Sequence, residues 1–141
     1  MKNVIKSPCD RNRLIERARE VMERRPRVVF AYLFGSLARK TSSPLSDVDI
    51  AVYLDDSSDL SNEKLDLIGN LMSELGTDEI DVVVLNRAPL PLMARVLEKN
   101  EILIDRKPFR RQAFESLVLR EYFDFSIKEK AILERRFSLG G

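Results

Sequence analysis

The sequence predicts an α/β (α+β) domain: a mixed sheet of about four strands flanked by helices, with a helical C-terminal extension. Three observations predict it. Hydrophobic periodicity switches repeatedly between the helical and the strand type, a loop rather than a crossover helix joins the first two strands, and residues 108–137 keep helical spacing. With 141 residues, 44% of them hydrophobic, the chain is expected to form one domain with one core, spanning about 10–105, and the extension at about 108–137.

The elements follow in order. Leu14, Ile15, Ala18, Val21 and Met22 recur at helical spacing over residues 10–25, and Pro26 stops the pattern. Residues 27–34 (RVVFAYLF) are β-branched, aromatic and nearly all apolar, as in a strand covered on both faces. Gly35-Ser36 ends that strand. A polar stretch over 37–45 follows, and a loop of this length between two strong strands often carries function. Over 46–54, Val48, Ile50, Val52 and Leu54 share one face while Asp47, Asp49, Ala51 and Tyr53 share the other. Leu65, Ile68, Leu71, Met72 and Leu75 mark a second helix closed by Gly76. A third strand at 80–85 places Asp81, Val83 and Leu85 together, and a short helix at 89–99 and a fourth strand at 101–105 complete the core. The extension is expected in two pieces, because Ser126-Ile127-Lys128-Glu129 has the capping-box pattern of a new helix start. The loop between the first two strands makes antiparallel pairing the natural expectation.

Composition removes whole classes of chemistry. The chain has no histidine and one cysteine, Cys9, so imidazole bases, Cys-His nucleophile pairs and His-based zinc sites are excluded. A net charge of +1 without a long basic block argues against a protein whose task is neutralising a nucleic-acid backbone, so direct nucleic-acid binding is not expected. The longest apolar run, 28–34, is far short of the roughly 20 residues of a membrane span. With no signal-peptide core, the expected compartment is the cytoplasm.

Any acid, base or metal ligand must therefore be a carboxylate, a hydroxyl, Lys or Arg, and one constellation stands out: Gly35-Ser36, Asp47-Val48-Asp49 and Asp81. Each piece has an ordinary structural explanation: a tight turn, a solvated edge strand, the end of an acidic turn. Together they are more specific. Carboxylates at i and i+2 on one strand have Cα atoms about 6.5–7 Å apart and can converge on cations roughly 3.5–4 Å from each other. A third carboxylate from a neighbouring strand completes an oxygen shell of the kind Mg²⁺ prefers, alongside substrate phosphates. A Gly-Ser turn offers backbone N–H groups and a hydroxyl for phosphate oxygens, with Arg39 and Lys40 nearby in sequence.

The segment FGSLARKTSSPLSDVDIAVYL resembles the signature of polymerase-beta-type nucleotidyltransferases: hydrophobic-Gly-Ser, ten residues, then Asp-hydrophobic-Asp-hydrophobic. Asp81 in EIDVVVLN stands where that family's third carboxylate is expected. In size and layout the chain is similar to the minimal nucleotidyltransferases of the MNT group, many of which are antitoxins paired with HEPN-domain toxins. The likeness is strong over 28–85 and much less specific in the tail. Many relatives carry Ala-Arg-Gly after Gly-Ser-x; Lys40 replaces that glycine here, which bears on the loop backbone and leaves the carboxylates untouched.

The resemblance implies a polymerase-beta-like nucleotidyltransferase core and Mg²⁺-dependent transfer of AMP from ATP to a hydroxyl, a tyrosine of a partner HEPN toxin. It implies that Asp47, Asp49 and Asp81 hold two Mg²⁺ ions and that Asp81 takes the acceptor proton. It also implies that Gly35 and Ser36 hold the β- and γ-phosphates, with Arg39 or Lys40 offsetting leaving-group charge. A chain spending nearly all its length on a catalytic core leaves little for an acceptor pocket, so the acceptor is expected on a partner protein. The amphipathic stretch at 109–137 either docks that partner or packs on its own sheet. Two alternatives stay open: an antitoxin acting by binding alone, and an enzyme modifying a small molecule or RNA. The assembly could be a homo-oligomer or a hetero-oligomer with the toxin.

Overall fold

All seven residues of β1 (Val28–Phe34) are buried, because this strand runs through the middle of the sheet with helices on both faces. A computed structural model describes residues 8–35, 48–55 and 59–140, excepting the side chains of 8, 9 and 136–140. The described elements are α1 (Pro8–Glu23), β1, β2 (Val48–Leu54), α2 (Leu60–Leu75), β3 (Ile80–Val84), a 3₁₀ turn (Leu85–Arg87), α3 (Leu90–Glu98), β4 (Asn100–Asp105) and α4 (Pro108–Gly140). The four-stranded sheet has the order β3-β2-β1-β4. β1 pairs antiparallel with β2 and with β4, while β2 and β3, joined through α2, are parallel.

Strand alternation sorts the core into two layers. Val48, Ile50, Val52, Leu54 and Val82 face α1 and α2, meeting Leu14, Ala18, Leu67 and Leu71. Phe30, Tyr32, Phe34 and Ala51 face the other way, against Leu85, Val96 and Phe114. Val28 and Phe30, two residues apart, would share a face in a regular strand. A register shift between them puts Val28 in the first layer and Phe30 in the second, as an extra residue in a bulge does.

Helix ends are tied off by specific groups. The Asp59 side chain caps α2 by accepting from the backbone N–H of Asn62 at 3.3 Å. Gly76 ends α2 in the left-handed conformation (φ 69°), its N–H donating to Met72 O at 3.0 Å. After α1 the Arg106 guanidinium donates to the carbonyls of Met22 and Glu23, which the last turn of a helix leaves without partners, and to those of Arg25 in the turn and Val28 at the start of β1.

The C-terminal extension is one helix, not two. The four residues with the capping-box pattern lie inside α4, which continues unbroken to Gly140. A capping box starts a helix only where the preceding backbone has left helical geometry. Residues 120–125 contain no glycine or proline to force that exit, so propagation, which is cheap, prevails over a second nucleation, which is costly. The first turns of α4 are anchored to the sheet by a polar network. Tyr32 donates to Glu115 (2.7 Å), and Arg111 bridges Glu115 (2.9 Å) and Asp105 (2.8 Å). Burial, and then the Glu115 carboxylate, push the Tyr32 hydroxyl pKa well above its usual value. Past Val118, which is buried, nearly every described side chain of α4 is exposed, including Phe123 at 65% and Ile132 at 57%.

Candidate active site

The turn between α2 and β3 aims the third strand. Thr77 is buried, its hydroxyl accepts from the Glu79 N–H at 3.1 Å, and the carbonyl of Glu79 accepts from the Val48 N–H at 2.9 Å. These contacts set the parallel register in which Val48 lies beside Ile80 and Asp49 beside Asp81. Residues paired across neighbouring strands point to the same face, about 4.8 Å apart at Cα. Two acidic side chains thus project side by side from the ends of β2 and β3.

The same row continues across the sheet: Asp49 pairs with Phe34 on β1, and Phe34 with Asn100 on β4. Phe34, Ala51 and Val83 all belong to the second layer of the core, so the acids sit where its apolar surface reaches the end of the sheet. Asp81 is exposed and Asp49 half-buried.

Gly35, directly after β1, closes the other side of Asp49. Its backbone is left-handed, φ +77°, and a Cβ added there would collide with Oδ2 of Asp49 and lie 3.3 Å from its Cγ. Only glycine satisfies both conditions, the backbone angle and the close approach to a carboxylate. The cradle that a side chain would fill is therefore kept open beside an acid.

Of the residues singled out in the sequence, the structure brings Gly35, Asp49 and Asp81 together. Ser36, Arg39, Lys40 and Asp47 lie outside the described residues. Among the described residues no group of three or more acidic or cysteine side chains gathers as a metal site. The two acids offer only hard carboxylate oxygens, a donor set that fits Mg²⁺ and not a soft metal. Tyr53, on the same face as Asp49, stacks on Phe30 at 4.9 Å, packs edge-on against Phe114 and lies under the Arg110 guanidinium. Four residues along β2, it is about 13 Å from the acids, so its role here is packing. Two cations that line the groove beside β3, Lys64 and Arg87, have no counterpart in the sequence reading. They come from α2 and the 3₁₀ turn, and no spacing rule links positions on separate elements to a strand between them.

A mixed sheet in the order β3-β2-β1-β4, with helices on both faces and an acid row beside a glycine turn, is the polymerase-beta-like nucleotidyltransferase fold. The chain belongs to the polymerase beta nucleotidyltransferase family, whose model matches residues 16–109. Among solved structures, a chain of a toxin-antitoxin crystal structure with AMP-PNP is similar, with a TM-score of 0.68 and 26% identity over 88% of this chain and 95% of that one. A chain from the complex of a tri-AMPylated Shewanella oneidensis HEPN toxin with its MNT antitoxin gives a TM-score of 0.62 and 25% identity, covering 88% and 92%. A chain from a variant of the MntA toxin-antitoxin pair gives 0.67 and 27%, covering 87% and 94%. No curated protein matched the sequence. The structural likeness is thus to MNT antitoxins of HEPN/MNT pairs. Among the described residues no helix is long and apolar enough to cross a membrane.

Proposed function

We propose that this protein transfers AMP from ATP to a hydroxyl, a tyrosine, of a partner HEPN toxin and acts as its antitoxin. The observation that carries the reading is the juxtaposition of Asp49 and Asp81, in register on one face, with Gly35 held against Asp49. It is supported by the family and by a relative of similar structure crystallised with a tri-AMPylated toxin.

Asp49 and Asp81, with Asp47 of the same D-x-D segment, would hold two Mg²⁺ ions. Bound there, Mg²⁺ supplies charge neutralisation for the triphosphate and a lower pKa for the acceptor hydroxyl. The chain's own residues do the rest. The backbone at Gly35 and Ser36 orients the β- and γ-phosphates, and Arg39 or Lys40 stabilises the charge that builds on them. The acceptor oxygen attacks the α-phosphorus, the bond to the bridging oxygen breaks, pyrophosphate departs, and the Asp81 carboxylate accepts the hydroxyl proton. The exposed apolar side chains of α4 past Val118 supply the surface on which the toxin docks.

The test is incubation of the protein and its partner with Mg²⁺ and ATP labelled at the α- or the γ-phosphate. Label transferred to the partner from the α-position only, and lost in Asp49→Asn, is expected. Label from the γ-position overturns the reaction class. A partner silenced without any label leaves an antitoxin that acts by binding alone.

A further inference from the structure

The two edges of the sheet are treated differently. At β4, Arg19 of α1 donates to the backbone carbonyl of Ile102 (3.3 Å) and Arg11 pairs with Glu101 (3.5 Å), so side chains from α1 occupy that edge. Beside β3, the strand at the other edge, runs a groove of about 440 Å³ lined by consecutive strand residues, Asp81 to Val84. Apart from Asp81 the strand is isoleucine and valine, both strong strand formers, and it carries no proline, lysine or bulge to blunt its edge. A bare edge of this kind is a template for another strand.

Register decides which backbone groups the edge presents. The Glu79 carbonyl accepts from the Val48 N–H, so the backbone of Glu79 faces β2. Along a strand the N–H and C=O of one residue point to one side and those of the next to the other. The regular parallel register that follows therefore turns Asp81 and Val83 to β2, and Ile80, Val82 and Val84 outward. These outward residues are symmetric about Val82. An antiparallel copy with Val82 opposite Val82 sets Ile80 opposite Val84 at both ends, so every outward donor and acceptor meets its complement.

Charge favours the same two-fold. Asp78 lies four residues before Val82 and Asn86 four after it, so the arrangement brings Asp78 of each copy alongside the Leu85–Arg87 turn of the other, next to Arg87. Asp78 and Arg87 are exposed, and among the described residues neither has an ion-pair partner. A self-complementary patch of this kind is what a two-fold contact requires, because each opposite-charge pair occurs twice.

We infer that β3 is a self-association edge: two copies of this chain pair antiparallel through Ile80–Val84 into one continuous sheet, with an Asp78–Arg87 ion pair at each end. Asp81 belongs to this strand, so pairing also covers the β3 side of the acid row. The pairing itself is independent of the reaction proposed above.

Sedimentation of the full chain across roughly 1–100 μM should show the mass rising from one chain to two. Arg87→Glu and Asp78→Lys should each raise the dimer Kd by about tenfold or more, and combining them should restore it to within roughly threefold of wild type. Amide exchange gives a second readout: the Val82 N–H, turned away from β2, should exchange about tenfold or more slowly in concentrated than in dilute protein. A one-chain mass at every concentration overturns the inference. So does a dimer indifferent to both single reversals, a combined variant as weak as the single ones, or Val82 exchange that ignores concentration. Transfer of α-label to the partner stands or falls separately.

Discussion

Gly35→Ala separates the backbone requirement from the carboxylate requirement, because the structure provides a matched control. Gly35 and Gly76 both have left-handed backbones, φ 77° and 69°. A Cβ at Gly76 would meet nothing within 4 Å, whereas one at Gly35 would collide with the Asp49 carboxylate. The left-handed conformation costs an alanine about 1–2 kcal/mol relative to glycine, so both variants should lose that much stability, a fall in Tm of roughly 4–8 °C. Only Gly35→Ala must also push the Asp49 side chain aside, and a displacement of about 1 Å in a catalytic group costs on the order of 10²-fold in rate. Denaturant unfolding and α-label transfer to the partner should be measured side by side. The expected result is similar destabilisation of the two variants, near-normal transfer by Gly76→Ala, and a loss of about a hundredfold in Gly35→Ala. If the two variants transfer AMP equally well, the packing of Gly35 on Asp49 has no part in catalysis and the site as proposed is wrong.

Mg·ATP at a hundredfold excess over its Kd should stabilise the protein by about 2.7 kcal/mol, read as a rise in Tm; an unmoved Tm counts against the site. Charges about 5 Å apart repel by roughly 0.8 kcal/mol in a water-like dielectric, so Asp49→Asn should raise the metal-free Tm slightly while abolishing the shift with Mg·ATP. Arg106→Ala removes four hydrogen bonds that tie the end of α1 and the turn after it to β1, and should cost about 2 kcal/mol in urea unfolding, with no effect specific to ATP binding. Tyr32→Phe should cost about 1 kcal/mol at neutral pH. Because the folded pKa of Tyr32 is raised, unfolded chains lose this proton near pH 10 while folded ones keep it, so the advantage of wild type is complete below pH 10 and shrinks above it. A wild-type advantage that stays constant as pH rises through that range would refute the assignment. Phe123→Asp/Ile132→Asp should abolish co-purification with the toxin and leave the Tm within a degree or so, since both side chains are exposed.

The strands were legible because period-two alternation is local. Val48, Ile50, Val52 and Leu54 announce their shared face, and the structure buries all four. The common face of Asp81 and Val83 follows from the same rule. That Asp49 and Asp81 stand in register was not legible, because register depends on the turn after α2, where the hydroxyl of Thr77 and the carbonyl of Glu79 do the aligning. Gly35 could be read as a turn residue, but its closeness to Asp49 arises from the antiparallel pairing of Phe34 with Asp49. The Tyr32, Glu115, Arg111 and Asp105 network was hidden for a similar reason, since its members come from β1, α4 and β4. In α4 local pattern misled: Ser126 and Glu129 match a capping box in sequence, yet a cap is defined by the backbone in front of it, and that backbone is helical.

The arrangement of edges bears on how the proposed transfer brings two substrates to one sheet. Both have to meet at one row of the sheet, and a row has only two ends. Beyond Asn100 lies the β4 edge, closed by Arg19 and Arg11; beyond Asp81 lies the β3 edge, open and flanked by Lys64 and Arg87. In the proposed reaction, Gly35 against the β1 side of Asp49 leaves the nucleotide and the acceptor different approaches to the acids. For the partner proposed above, specificity would come from outside the sheet, and among the described residues the long exposed half of α4 offers a surface for it.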